Sequence, residues 1–274
     1  MRKVSGGEGT AVGPTGEALS RLEHVLADLD GLVVAFSGGV DSTLLAAVAH
    51  RVLGPRVLAV TVETPVALPD EADEARDLAK RLGMAHRAVG FDWLAFPELV
   101  ENGPDRCYRC KKHIMTLMLA VARQAGFSHL ADGTNRDDHA ENRPGLVADR
   151  ELGVRQPLFE AGLDKPMVRA LARRLGLPNA GRPSSPCLAT RFPTGQPVTV
   201  PGLERVAQAE GALRRLGFTV VRVRDLFPHG VVEVAPQELD DLFRQREPVL
   251  RALRAAGYRR VAFDAAGYGT QAEG

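Results

Sequence analysis

The chain has 274 residues, a net charge of +1 and 45% apolar residues, enough for one large domain or a medium one with a small one beside it. The near-neutral charge gives no global case for binding nucleic acid or a membrane surface, and no apolar run reaches the ~18 residues of a membrane span. Residues 1–18 lack the apolar stretch of a secretory signal and read as a disordered lead-in. A cytoplasmic setting is therefore expected, and in that reducing compartment the three cysteines do not read as disulfides.

From there strand-like and helix-like segments alternate. LVVAF (32–36) predicts a strand, residues 41–54 a helix closed by Gly54, and RVLAVTVE (56–63) a second strand. Residues 70–82 open with acids that suit a helix N-terminus, and Gly83 stops them. HRAVGFD (86–92) predicts a third strand, residues 111–126 a helix, HLADGT (129–134) a fourth strand, VRQPL (154–158) a fifth, and residues 165–177 a short helix. This rhythm belongs to an α/β fold with a doubly wound parallel sheet, over residues 19–177. Residues 178–197 then hold five prolines and predict a long irregular segment of the kind that carries function. Residues 198–268 predict a smaller α+β domain: a helix over 202–217, two strands around a Pro-His-Gly turn, a helix over 236–257 broken at Pro248, and a last strand over 259–264. Residues 269–274 form a tail.

SGGVDS (37–42) sits where a strand of a parallel sheet delivers the chain to the edge at which ligands bind. Gly38 and Gly39 allow a tight turn with outward N–H groups, and the helix that follows adds its positive end. Ser37, Ser42 and Thr43 add hydroxyl donors. Asp41 would repel phosphate unless a cation bridged them, so Mg²⁺ is expected there. The string lacks the Walker A pattern and matches the PP-loop signature SGGxDS of ATP pyrophosphatases. That resemblance implies cleavage of ATP between its α- and β-phosphates, with activation of a substrate oxygen as its adenylate. In DGTNRDDHAENRPGL (132–146), Thr134, Asn135, Asp138 and Arg143 are placed for a nucleotide or metal, the alternative being a polar loop capped by Asn or Asp.

Cys107 and Cys110 form a CxxC pair just before a helix, where the helix end and basic neighbours favour thiolates. Cys187 lies in the proline-rich segment. Three converging thiolates suit a 4Fe–4S cluster with one open iron. Zinc would lack a fourth protein ligand, and unrelated free thiols are the plain alternative.

Taken in order, FSGGVDSTLL, RCYRCK, DGTNRDD…RPGL, SPCLATRFPTG, and VRVRD followed by VVEVAP resemble the LarE family. These are ATP-dependent pyridinium-3,5-biscarboxylic acid mononucleotide sulfurtransferases of nickel-pincer cofactor biosynthesis. The resemblance spans about residues 18–268. It implies adenylation of a pyridinium carboxylate with ATP and Mg²⁺, then sulfur insertion to a thiocarboxylate with release of AMP. It implies either a 4Fe–4S cluster on Cys107, Cys110 and Cys187, which the three cysteines favour, or sacrifice of the Cys187 sulfur. It implies substrate roles for Arg222 and Arg224, which share one face of a strand, and for Arg191 and Glu210. It suggests a homo-oligomer. The family closes with a GYRxGS-like stretch, where this chain has Gly269 in place of the Arg. Rival classes are a PP-loop tRNA thiolase, which needs a basic surface, an ammonia-using synthetase of GMP or NAD, and a non-catalytic nucleotide-binding module.

Overall fold

Each strand of the sheet is a short apolar run, and each is followed by a segment whose apolar residues recur at helical spacing. The computed structural model describes residues 13–141, 143–183 and 186–268. In chain order these form α1 (Pro14–Ala27), β1 (Leu32–Ala35), α2 (Val40–Leu53), β2 (Val57–Glu63), α3 (Glu71–Arg81), β3 (Ala85–Gly90), α4 (Pro97–Val100), α5 (Arg106–Gln124) and β4 (Leu130–Ala131). There follow α6 (Arg136–Ala140), α7 (Gly145–Leu152), α8 (Pro157–Glu160), α9 (Lys165–Arg174), α10 (Val200–Arg215), β5 (Val221–Leu226), β6 (His229–Val234), α11 (Leu239–Arg244), α12 (Arg246–Ala255) and β7 (Arg260–Phe263).

The first sheet is parallel, in the order β3-β2-β1-β4. Alternate residues of β1 point to opposite faces. Leu32 and Val34 join the core formed with α1, α2, α3 and α9. Val33 and Val60 pack instead on Met115, Met118, Val121 and Ala122 of α5. Helices therefore cover both faces, as the near-continuous apolar strands require. The second sheet pairs β5 antiparallel and β7 parallel to β6, and closes a smaller core with α10 and α12 around Val223, Val232, Leu213 and Leu253. A third cluster joins the two units. Trp93, Leu99, Leu188, Phe192, Val198 and Leu203 bring the loop after β3, the proline-rich segment and α10 together. No described helix is long and apolar enough to cross a membrane.

Four sequence expectations shift. The helix α1 begins at Pro14, so residues 14–18 are not part of a disordered lead-in. Proline fits a helix's first turn, and Ala18, Leu22 and Leu26 bury one stripe. Residues 1–12 and the tail 269–274 lie outside the described residues. The helix expected from residue 111 starts at Arg106, which puts both CxxC cysteines inside it. The fifth strand is reduced to a single parallel bridge between Ala131 and Arg155, and Pro157 opens α8 instead. The break in the late helix falls at Gln245, not Pro248, which sits in the first turn of α12 and costs nothing there.

Candidate functional site

The PP-loop is built by its hydroxyls. The Ser37 and Ser42 hydroxyls meet at 3.2 Å, Ser42 Oγ accepts from the Ser37 amide at 3.3 Å, and the Gly39 amide donates to Ser37 Oγ at 3.3 Å. Gly38 takes φ +71°, which an L side chain rarely adopts. The exit of β4 must also be glycine: a Cβ on Gly133 would stand 2.8 Å from the Ser42 nitrogen. This close approach brings the β4 loop against the start of α2.

A cavity of about 1320 Å³ opens over this edge. That exceeds the ~300–1,000 Å³ of a single-ligand site, so there is room for a nucleotide and a second substrate. Ser37, Gly39, Asp41, Ser42, Thr134, Asn135, Asp138, Arg143 and all three cysteines line it. The side chain of Thr43 does not: it is fully buried, and its hydroxyl accepts from Asn179 Nδ2 at 2.9 Å, the same amide that donates to the Gly38 carbonyl at 2.8 Å.

Asp41 is held from two sides. Asn135 Nδ2 donates to Oδ1 at 3.2 Å, and Lys165 Nζ at the start of α9 pairs with Oδ2. Asn135 also caps α6, accepting from the Asp137 amide at 2.9 Å, while Asp138 returns the bond to the Asn135 amide at 2.9 Å. The other Asp138 oxygen meets Arg143 at 2.6 Å. The capping reading of this loop is thus realised, on side chains that also line the cavity. Behind it, Lys111 bridges Asp132 and Asp149, and Thr134 Oγ1 donates to Asp132 at 3.0 Å. Burial works against the Lys111 charge, but the two carboxylates outweigh it and hold its pKa above the usual value. Burial, then Asp132, pushes Asp149 up to about 6.

Cys107 and Cys110 lie three apart on one helix, on neighbouring turns of one face. Trp93 Nε1 donates to Cys110 Sγ at 3.3 Å, and Arg106 Nη2 to Cys107 Sγ at 3.3 Å. Cys187 arrives from the proline-rich segment, just before a 3₁₀ turn over Leu188–Arg191. At Cys110 and Cys187 the surroundings work against the thiolate form in the metal-free chain. Burial pushes Cys110 up to about 11 despite Trp93, and burial raises Cys187, which lines the cavity. Such thiols give up their protons on metal ligation. Among the described residues, no group of three or more His, Cys, Asp or Glu is close enough to hold one metal ion.

Arg191 and Glu210 face each other rather than the cavity. They are 1% and 0% exposed and share a bidentate bridge of 2.7 and 2.9 Å. Arg191 Nη1 donates to the Pro186 and Cys187 carbonyls at 2.7 and 3.1 Å, so it fixes the cysteine's backbone. Arg222 and Arg224 share a strand face, as their spacing predicts. Arg224 is tied bidentately to Glu233 and donates to the Thr190 carbonyl at 2.9 Å. Arg222 is buried and stacks on Tyr268, its guanidinium 4.3 Å from the ring centre. Burial, then Arg191, lowers its pKa. Gly269 lies outside the described residues.

Sequence reasoning missed Lys111, Asp132, Asp149, Lys165, Trp93 and Arg106. Lys111 and Lys165 read as ordinary helix starts, and only the fold shows that both ends meet the same sheet edge. The lone Trp in a low-aromatic chain was the one available signal for Trp93.

A family model described as asparagine synthase matches residues 26–105. The chain is 36% identical over 248 residues to the pyridinium-3,5-bisthiocarboxylic acid mononucleotide synthase of Lactiplantibacillus plantarum, covering 90% of each. It is 37% identical over 252 residues to an uncharacterised protein of Synechocystis sp., covering 91% of this chain and 94% of that one. Its match to the tRNA-specific 2-thiouridylase MnmA of Sphingopyxis alaskensis is 31% over 193 residues, 56% of this chain and 50% of that protein.

Proposed function

We propose that this chain, which belongs to the LarE family of pyridinium-3,5-bisthiocarboxylic acid mononucleotide synthases, is an ATP-dependent sulfurtransferase acting on pyridinium-3,5-biscarboxylic acid mononucleotide. It adenylates a ring carboxylate and converts it to a thiocarboxylate, with pyrophosphate and AMP as the other products. The observation that carries this reading is the shared cavity: the PP-loop and Cys107, Cys110 and Cys187 line the same space. The thiouridylase match stops at about half of this chain, and the net charge of +1 offers little to an RNA backbone.

In the first step a substrate carboxylate oxygen bonds to the α-phosphorus as the bond to the bridging oxygen breaks. The residues contribute position and charge rather than covalent chemistry. The Gly38 amide and the amides at the start of α2 hold the leaving pyrophosphate, while the Ser37 and Gly39 amides bond within the loop and fix its shape. Lys165, at the start of α9, brings positive charge to the same edge, while the charge of Lys111 is taken up by Asp132 and Asp149. Asp41 fits a Mg²⁺ site, since such an ion takes one or two carboxylates and fills its shell with phosphate oxygens and water.

For the second step the three thiols fit a 4Fe–4S cluster better than a single metal ion. All three line one cavity, and three cysteines would hold such a cluster with one iron left open. Hydrogen bonds from Trp93 and Arg106 meet two of the sulfurs, as cluster ligands use. When bound, such a cluster supplies a nucleophilic sulfur at its open iron for the activated acyl carbon. Arg191 and Arg224 fix the Cys187 segment through the carbonyls of residues 186, 187 and 190. Arg222 does not line the cavity; it is buried, stacks on Tyr268 and lies across the strand pair from Glu233, so a substrate role for it would need the second domain's face to meet the substrate directly.

The test is an anaerobic incubation with ATP and the dicarboxylated nucleotide. Pyrophosphate release that depends on the nucleotide, with a product heavier by one oxygen-to-sulfur exchange, is expected. Pyrophosphate release without the nucleotide, or an unchanged nucleotide, would refute the reading.

A further inference from the structure

Cys187 and the CxxC pair come from segments almost eighty residues apart in sequence, and something must set their relative position. Asn102 lies between α4 and α5, 1% exposed, with φ +58°. Positive φ is uncommon outside glycine, and Asn is among the few residues that tolerate it. Its side-chain amide donates to the Pro193 carbonyl at 2.7 Å, Gln196 at 3.0 Å and Phe192 at 3.3 Å. Its backbone carbonyl accepts from the Gly195 amide at 2.8 Å. The turn that follows Cys187 is thus pinned to one residue. The remaining oxygen of the Asn102 side chain accepts from Arg106 Nη1. That same nitrogen donates to the Ala189 carbonyl at 2.9 Å, while Nη2 reaches Cys107 Sγ. Arg106 therefore touches the thiol of one cysteine and the backbone two residues beyond another.

We infer that Asn102 and Arg106 form a clamp that registers the Cys187 segment against the CxxC helix, and that they are positioning residues for the three-thiol site. The inference rests on reading the three cysteines as one site. Outer-shell groups that orient ligands cost roughly 10–100-fold in metal affinity when removed. A merely structural role would lower stability without changing the distance between thiols in the molecules that remain folded.

The test compares the full chain with Asn102→Gly and Arg106→Lys. Glycine accepts φ +58° without strain, so it removes the amide while leaving the backbone conformation allowed. Lysine keeps the charge of Arg106, but its single compact ammonium lacks the planar fork whose two nitrogens reach Asn102, Ala189 and Cys107 together. Two measurements are made on folded protein: iron bound per chain after anaerobic reconstitution with iron and sulfide, and the yield of a Cys107–Cys187 cross-link with a short bifunctional maleimide. Both variants should unfold cooperatively, bind iron about tenfold more weakly and lose most of the cross-link. Wild-type iron content and cross-link yield in both variants would overturn the inference. If the unmodified chain binds no iron, yet its cross-link forms and is lost in the variants, the cluster reading fails and the clamp stands. Should Asn102→Gly fail to fold, Arg106→Lys, on a partly exposed side chain, decides the matter alone.

Discussion

Glu210→Gln gives the sharpest energetic test of how Cys187 is held. The Glu210 side chain is fully buried. It receives two bonds from Arg191, one from Arg214 at 2.9 Å and one from the Val223 amide at 3.0 Å. Glutamine keeps the volume and one acceptor but removes the charge, leaving the buried Arg191 guanidinium without its counter-ion. Breaking a buried pair this way costs about 3–5 kcal/mol, and the lower end applies because the Gln oxygen still accepts a bond. At roughly 2–4 °C per kcal/mol for a chain of this size, the midpoint should fall by about 6–12 °C. Replacing both partners, Arg191→Met with Glu210→Gln, leaves no buried charge and should recover most of the loss. It should not recover function, because the bonds to the Pro186 and Cys187 carbonyls go with the guanidinium. Thermal melts and iron content on the two singles and the double make the cycle. A double variant whose loss equals the sum of the singles, or one that regains both stability and iron, would refute the reasoning.

Three other outcomes are expected. With Mg²⁺ on Asp41, Lys165 is freed to bond an ATP phosphate; Lys165→Met removes that charged hydrogen bond, worth about 1.5–3 kcal/mol, so ATP affinity measured by calorimetry should fall at least about tenfold, and unchanged affinity would remove Lys165 from the nucleotide site. Trp93 is the only tryptophan, and its Nε1 lies 3.3 Å from Cys110 Sγ, so its fluorescence should be strongly quenched when iron and sulfide are loaded; constant emission would place the cluster elsewhere. Asp149 keeps its proton up to about pH 6 in the folded chain because burial, then Asp132, disfavours its charge. Its raised folded pKa means that the stability it gives is complete below the ordinary carboxylate range and is lost as pH rises through about 6. Asp149→Asn should then be more stable, relative to the unmodified chain, at about pH 8 than at about pH 4, and a pH-independent difference in urea midpoint would exclude this.

Much of this was readable from the chain alone, for physical reasons that also mark where reading stopped. The sheet is legible because LVVAF and RVLAVTVE are continuous apolar runs and glycine marks the helix ends. The cradle is legible because Gly38 and Gly39 follow a strand directly. The helix α1 was hidden because its glycine- and threonine-rich start resembles a polar lead-in, while its apolar stripe begins only at Ala18. The early start of α5 was hidden because RCYRC has no apolar periodicity. Sequence also made Arg191 and Glu210 candidates for substrate contact, whereas the fold turns them toward each other. Pairing between segments nineteen residues apart leaves no local pattern. The bonds of Asn102 were invisible for the same reason, since their acceptors are backbone carbonyls some ninety residues away.

Iron content and intact mass, taken together before and after turnover, probe the sulfur source most directly. The account predicts about four irons per chain after anaerobic reconstitution, loss of that iron when Cys107, Cys110 or Cys187 is changed to Ser, and a Cys187 that keeps its mass through many rounds of product formation. An iron-free chain that yields one thiocarboxylate and loses the elements of H₂S from Cys187 would contradict it.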